Sequence, residues 1–217
     1  MFENAKDMRV RITFTEEVLG TAAANVDLYR DYIASNAPDA PTKEEQIAAV
    51  GVEKAIENAM TIFPKNAAGE PILWPYQIRG MFKSAQKSIN TITGKKCPGY
   101  LPNYKGKIDQ LVFVKGVDDT WSGTMSGLVI HIPDGMKMDT CERPLRAETM
   151  QGPRVSLAKS EVCPEGSWVE FDVRCLLPEL MENVRDWLDY GQYNGIGQWR
   201  NSGKGRFTWE EVEAPEK

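Results

Sequence analysis

The sequence predicts an α+β fold in one domain over residues 1–217, and three features point to it. Short strand-like stretches occur along the chain, two of them alternating cleanly between apolar and polar residues. Two longer stretches repeat apolar residues at helical spacing, and segments rich in Gly and Pro separate the elements. Stripped of insertions, the order is strand, helix, strand, strand, helix, strand. That is the ferredoxin-like (RRM-like) pattern, shared by many RNA-binding modules and by many proteins that bind none. The order requires treating about residues 22–60 as inserted helices and 117–143 as an inserted hairpin.

The first strand is Arg9-Val10-Arg11-Ile12-Thr13-Phe14-Thr15, where apolar and polar residues alternate. Asp27–Ala34 reads as a short helical turn, and Thr42-Lys43-Glu44-Glu45 as a capping box opening a helix towards Met60. Ile62-Phe63-Pro64 to Gly69-Glu70-Pro71 is a strand end and a turn. Pro75 suits a first helical position, and the helix it opens extends to about Asn90, with Ile78, Phe82, Ala85 and Ile89 on its core face. Thr91–Lys107 reads as a basic loop with Tyr100 and Tyr104. Leu111–Lys115 and Gly127–Ile132 are strands, and Asp134–Thr149, with Arg143 and Arg146, is irregular. Trp168–Cys175 alternates, placing Val169, Phe171, Val173 and Cys175 on one side. A second helix from Pro178 to Tyr190 presents Leu180, Val184, Trp187 and Leu188, and Gly191 ends it. Gly205–Val212 is the last strand.

Composition narrows the class. Hydrophobic residues make 41% and charged residues 26% of the 217, as in a soluble globular protein with a real core. No long apolar run suggests a membrane span, and Met1-Phe2-Glu3-Asn4 does not open a secretory signal. Cys97, Cys141, Cys163 and Cys175 are dispersed and only His131 accompanies them, so reduced thiols in a cytoplasmic protein are expected. Neither a metal nor a cofactor is expected from this pattern. His131, in Val129-Ile130-His131-Ile132, reads as a strand histidine, a catalytic role being the alternative.

The net charge of −5 argues against indiscriminate binding of polyanions, but the charges are segregated. From Arg79 to Lys107 there are Arg79, Lys83, Lys87, Lys95, Lys96, Lys105 and Lys107 and not one acid. The acids gather at Glu44–Glu57, Glu179–Asp189 and Glu210-Glu211-Val212-Glu213. Arg79, Lys83 and Lys87 fall at i, i+4 and i+8, so they share one helix face and repel each other there. A polyanionic partner accounts for such a stripe, and a solvated face is the alternative.

The stretch from Asn194 to Phe207 concentrates the chemistry. It holds two Gly-x-Gly steps, Gly195/Gly197 and Gly203/Gly205, interleaved with Trp199, Arg200, Lys204, Arg206 and Phe207. Glycine at alternate positions permits positive φ and exposes N–H groups, so the main chain can curl around an anion. Cationic side chains then neutralise phosphates and an aromatic ring stacks on a base. A glycine-rich turn leading into a strand is the plainer alternative.

Three stretches in order resemble the RAMP superfamily, the repeat-associated RNA-binding proteins of CRISPR systems. They are Gly69-Glu70-Pro71-Ile72-Leu73-Trp74-Pro75-Tyr76-Gln77-Ile78-Arg79-Gly80-Met81-Phe82-Lys83, the segment Arg154–Phe171 with its Glu, Pro and Gly before a strand, and the glycine loop. Tyr76-Gln77 stand where the family has small serines. The whole chain also resembles uncharacterised phage and prophage proteins. The RAMP resemblance implies a sheet that holds single-stranded RNA, with the first helix and glycine loop near the backbone.

The resulting expectation is an RNA-binding protein without catalysis, phage- or CRISPR-associated. Arg79, Lys83, Lys87, Lys95, Lys96, Arg200, Lys204 and Arg206 would meet phosphates, the glycines Gly195, Gly197, Gly203 and Gly205 the backbone, and Trp199, Tyr100 or Tyr104 the bases. It requires Lys83 and Lys204 to converge. Two other readings stand beside it: a metal-independent endoribonuclease of the guide-RNA-processing type, with no catalytic residue assigned, and a structural subunit that self-assembles or joins a host effector complex. The partners implied are single-stranded RNA, further copies of the chain or a ribonucleoprotein, and no membrane.

Overall fold

The computed structural model describes residues 4–23, 60–94, 99–149 and 152–213. The expected helices at Asp27–Ala34 and from Thr42 lie outside these residues, as do Lys95 and Lys96.

The core is built on a four-stranded antiparallel sheet. Its strands are β1 (Lys6–Phe14), β6 (Val112–Gly116), β10 (Trp168–Cys175) and β11 (Phe207–Glu211), in the order β11-β1-β10-β6. Alternation does what the sequence implies: Met8, Val10, Ile12 and Phe14 of β1 are buried, as are Val169, Phe171, Val173 and Cys175 of β10. Helix α1 (Pro75–Thr93) and helix α3 (Leu180–Asn194) contribute Ile78, Phe82, Ala85, Val184, Trp187 and Leu188 to the same core. Each of the larger aliphatic and phenyl side chains here, fully buried, stabilises the fold by about 1.5–3 kcal/mol. Helix α3 packs over β11 and α1 over β6, so the two helices share one face of the sheet.

One polar contact crosses this core. The indole Nε1 of Trp187 donates to Gln86 Oε1 at 2.6 Å, and the Gln86 amide donates to Gly99 O and Asn90 Oδ1. Gln86 is fully buried, so these bonds remove the cost of hiding its amide. Neither Gln86 nor Met81 stood on the expected core face; both follow from the helix being covered on two sides.

A second sheet flanks the end of the first. It joins β2 (Val18–Leu19), β9 (Gly152–Cys163), β4 (Thr61–Ile62) and β3 (Ala22–Ala23), with β8 (Asp139–Thr149) on the other edge of β9. A short pair, β5 (Ile72–Leu73) with β7 (Leu128–Val129), completes the described strands. β8 and β9 pair along their whole length, from Asp139 opposite Val162 to Thr149 opposite Gly152. β2 and β4 reach only the Ser160–Cys163 base of β9, so among the described residues the rest of the hairpin pairs with itself.

Four expectations are corrected here. Asp134–Thr149 is not irregular, since Asp139–Thr149 within it is β8; cross-strand pairing rather than local alternation makes that strand. The basic loop ends early, because Tyr104–Leu111 forms a helix, α2, and Tyr104 packs against the core. Gly191 does not end the last helix but lies inside it. A Cβ there would meet Phe207 Cζ at 2.6 Å and Met81 Sδ at 3.0 Å, so the glycine sets the close approach of α3 to β11. The segment expected as an inserted hairpin also supplies Leu128 and Ile130 to the core, and His131 bridges to Trp168.

Candidate nucleic-acid interface

The open face of the four-stranded sheet is filled by ion pairs. Arg9 Nε donates to Asp172 Oδ1 at 2.7 Å, and Lys115 Nζ reaches Asp172 Oδ2 at 2.6 Å. Arg11 pairs with Glu170 at 2.5 Å, and Arg174 grips Asp7 through two bonds. Burial works against the Asp172 carboxylate, yet the hydrogen bonds from Arg9 and Lys115 outweigh it and hold its pKa below the usual aspartate range. Trp121 lies under both Lys115 and Arg174, at 5.1 and 4.5 Å from the ring centre, and Arg11 lies over Trp168 at 4.7 Å. A depression of about 800 Å³ opens here among Asp7, Arg9, Lys115, Trp121, Asp172 and Arg174. Its cations are already matched by carboxylates, so this face offers a polyanion little unspent charge.

The glycine loop lies at the other candidate site, where the end of β1 meets the second sheet. Gly195, Gly197, Gly203 and Gly205 all take positive φ, as the spacing implies. Their role is nonetheless different from the expected anion cradle. The N–H of Gly195 donates to Gly191 O, that of Gly203 to Arg200 O and that of Gly205 to Glu17 O. A Cβ on Gly205 would lie 1.9 Å from Ile196 O, and one on Gly197 would lie 3.1 Å from Leu19 O. The glycines let the chain fold onto itself and onto β2, giving a tightly tied loop rather than a bare, flexible one.

The cations expected to meet RNA fall into different settings. Arg200 and Arg206 are exposed on the loop and, among the described residues, make no ion pair. Arg79 and Lys87 on α1 are likewise unpaired within the described residues. Lys83 is paired with Asp109 of α2 at 2.5 Å. Lys204 donates to Glu17 at 2.8 Å and lies 3.7 Å from Glu16, and the Glu17 bond raises its pKa. The expected convergence of Lys83 and Lys204 is not observed. Lys83 turns to the helix that leads into β6, one edge of the sheet, whereas Lys204 lies by the end of β1 and just before β11, the opposite edge. The cause is packing: α3 occupies the β11 side, which leaves α1 the β6 side.

Gln77 makes the turn at the start of α1. Its Oε1 accepts from Trp74 N at 2.7 Å, capping the helix, and its amide donates to Thr21 Oγ1 at 2.9 Å. The first turn of α1 is thereby tied to the second sheet. Tyr76 beside it is 61% exposed.

Sequence reading missed Arg143. On β8 it is buried at 6% exposure, with Nη2 donating to Gln198 Oε1 at 2.8 Å and Nη1 to Ser160 Oγ at 3.4 Å. Its guanidinium lies over the Trp199 ring at 5.1 Å. The hairpin and the glycine loop are thus joined through one cation, a link invisible while β8 reads as irregular. Tyr193, in the last turn of α3, is 78% exposed and flanks the same loop. Tyr100 and Tyr104 line a separate dent of about 270 Å³ with Pro102 and Lys105.

His131 is stacked on Trp168, ring centres 3.9 Å apart, and its main chain is bridged to the same residue. Cys163 and Cys175 are buried thiols whose pKa burial pushes up to about 12, the setting of an inert core cysteine. Among the described residues no group of three His, Cys, Asp or Glu could hold a metal ion, and no helix is long and apolar enough to cross a membrane.

This architecture, antiparallel sheets with helices on one face and a long hairpin beside a glycine loop, is a mixed α/β fold that is similar to those of two solved Cmr structures. One is a chain in the cryo-EM structure of the Type III-B Cmr-beta bound to cognate target RNA. It superposes with a TM-score of 0.55 at 9% identity over 96% of this chain, which spans 60% of that one. Another is Cmr6 from Pyrococcus furiosus, with a TM-score of 0.50 at 10% identity, covering 94% of this chain and 98% of the other. Identity this low shows a common fold alone. No family model and no curated protein matches the sequence.

Proposed function

We propose that this protein binds single-stranded RNA without cutting it and acts inside a CRISPR-type ribonucleoprotein. Its core is ferredoxin-like, a reading supported by the strand-helix-strand-strand-helix-strand order and by a sheet in which the fourth, first, third and second strands of that series are neighbours. The RNA backbone runs past the glycine loop and the hairpin base, not across the open sheet face. The observation that carries this reading is the pairing of exposed Trp199 with exposed Arg200 and Arg206 on a loop whose main chain is tied internally. Arg79 and Lys87, and in sequence Lys95 and Lys96, give a second basic stretch for a longer strand. Lys83 and Lys204 contribute less, because Asp109, Glu16 and Glu17 already neutralise them. Support for the ribonucleoprotein setting comes from the fold shared with Cmr chains, one of them in a complex bound to target RNA. Binding without cleavage is favoured over the nuclease alternative because no motif in the sequence fixes a catalytic residue for cleavage.

Fluorescence anisotropy with a labelled single-stranded RNA tests the reading. Log affinity should fall linearly with log salt, by about 0.7 per phosphate neutralised. Arg200→Ala with Arg206→Ala should make that slope shallower by about 1.4. Affinity unchanged between about 50 and 200 mM salt contradicts this mechanism.

A further inference from the structure

We infer that Trp199 and Arg143 form a seat for one unpaired nucleobase, preferring a purine, within the RNA interface proposed above, on which this inference rests. Trp199 is held at φ 56, ψ 32, the left-handed region that a bulky residue adopts only where its surroundings impose it. This tryptophan nonetheless leaves 37% of its surface open. Arg143 explains what fixes it. The guanidinium lies 5.1 Å from the ring centre and is itself only 6% exposed, so it covers the inner face of the indole. What stays open is the outer face and edge.

Arg143 supplies the second, independent observation. Its Nη groups are engaged by Gln198 and Ser160, and Ser160 is held in turn by Thr61 at 2.7 Å, but among the described residues Nε is buried with no acceptor. A buried charged donor left short of a partner is a standing cost, and folds keep such costs where they serve a site. Here the cost holds an aromatic platform at the joint between hairpin and loop. A base is the ligand chemistry that fits: a flat π surface that stacks on an aromatic ring, next to the exposed cations Arg200 and Arg206 that suit its phosphates. The larger π surface of a purine makes better use of an indole than a pyrimidine does. Arg143 is a positioning residue in this scheme, since the indole stands between it and the base. It acts by orienting the ring and not by meeting a phosphate.

The test compares three oligomers of equal length, oligoadenylate, oligouridylate and an abasic sugar-phosphate chain, at one salt concentration. The parent chain should bind oligoadenylate most tightly. Trp199→Ala should weaken oligoadenylate on the order of 10-fold and leave the abasic chain unchanged, while Trp199→Phe should restore most of the loss. Arg143→Gln should likewise lose affinity for oligoadenylate only, whereas equal loss on the abasic chain would make Arg143 a phosphate contact and overturn the assignment. Where Trp199→Ala fails to fold, Arg143→Gln carries the test: loss on oligoadenylate alone supports the seat, and no loss on oligoadenylate removes it. Oligoadenylate binding unchanged by both Trp199 variants, in a parent chain that does bind RNA, removes the seat and leaves the RNA reading standing. A parent chain that binds none of the three removes both.

Discussion

Single residues decide which faces of this molecule are open to a polyanion. Lys115 and Asp172 show the logic: each is nearly hidden, at 7% and 14% side-chain exposure, and each is satisfied by the other. Removing one charge strands its partner, so Asp172→Asn should cost on the order of 3 kcal/mol in a urea titration at neutral pH. The sign of the pH dependence follows from the depressed Asp172 pKa. Such a group adds stability above its unfolded pKa and loses it as pH falls through the folded one. The gap between parent and Asp172→Asn should therefore be full at neutral pH and shrink once the pH drops below about 3.9. A gap that holds constant down to pH 3 would show that the carboxylate is not what the network depends on. In the sequence, Arg9, Arg11, Glu170, Asp172 and Arg174 read only as the polar half of two alternating strands. Their pairing across β1 and β10 is a matter of register, which no single strand reveals.

At the scale of elements, what was legible depended on whether the signal was local. Strands β1 and β10 and helices α1 and α3 announce themselves by periodicity, because one face of each meets the core. The β8–β9 hairpin did not, since its backbone partners come from the opposite strand and it contains Pro144 and many charges. The glycine loop was legible in composition and misleading in purpose. Positive φ at four glycines is readable from the Gly-x-Gly steps, but the destination of the N–H groups of Gly195, Gly203 and Gly205 is not. That difference gives a direct prediction. Gly205→Ala must force a methyl group to 1.9 Å from Ile196 O at φ +72, so it should destabilise the protein by more than about 2 kcal/mol in the same titration. A loss below about 0.5 kcal/mol would mean the loop is loose enough to be the flexible cradle its sequence suggests.

For the whole molecule, a protein of net charge −5 can hold RNA only if its cations are sorted, some spent and some free. The sheet face spends Arg9, Arg11, Lys115 and Arg174 on carboxylates, while the loop that carries Trp199 leaves Arg200 and Arg206 exposed. Topology separates the α1 stripe from the loop by placing α1 over the β6 side and α3 over the β11 side. The most direct test is photocrosslinking of the protein to single-stranded RNA carrying 4-thiouridine, with the attached peptides identified by mass. Crosslinks should concentrate in residues 193–206, at Tyr193 and Trp199. Crosslinks at Phe113, Trp121 or Trp168 on the open sheet face, with none in the loop, would contradict the account.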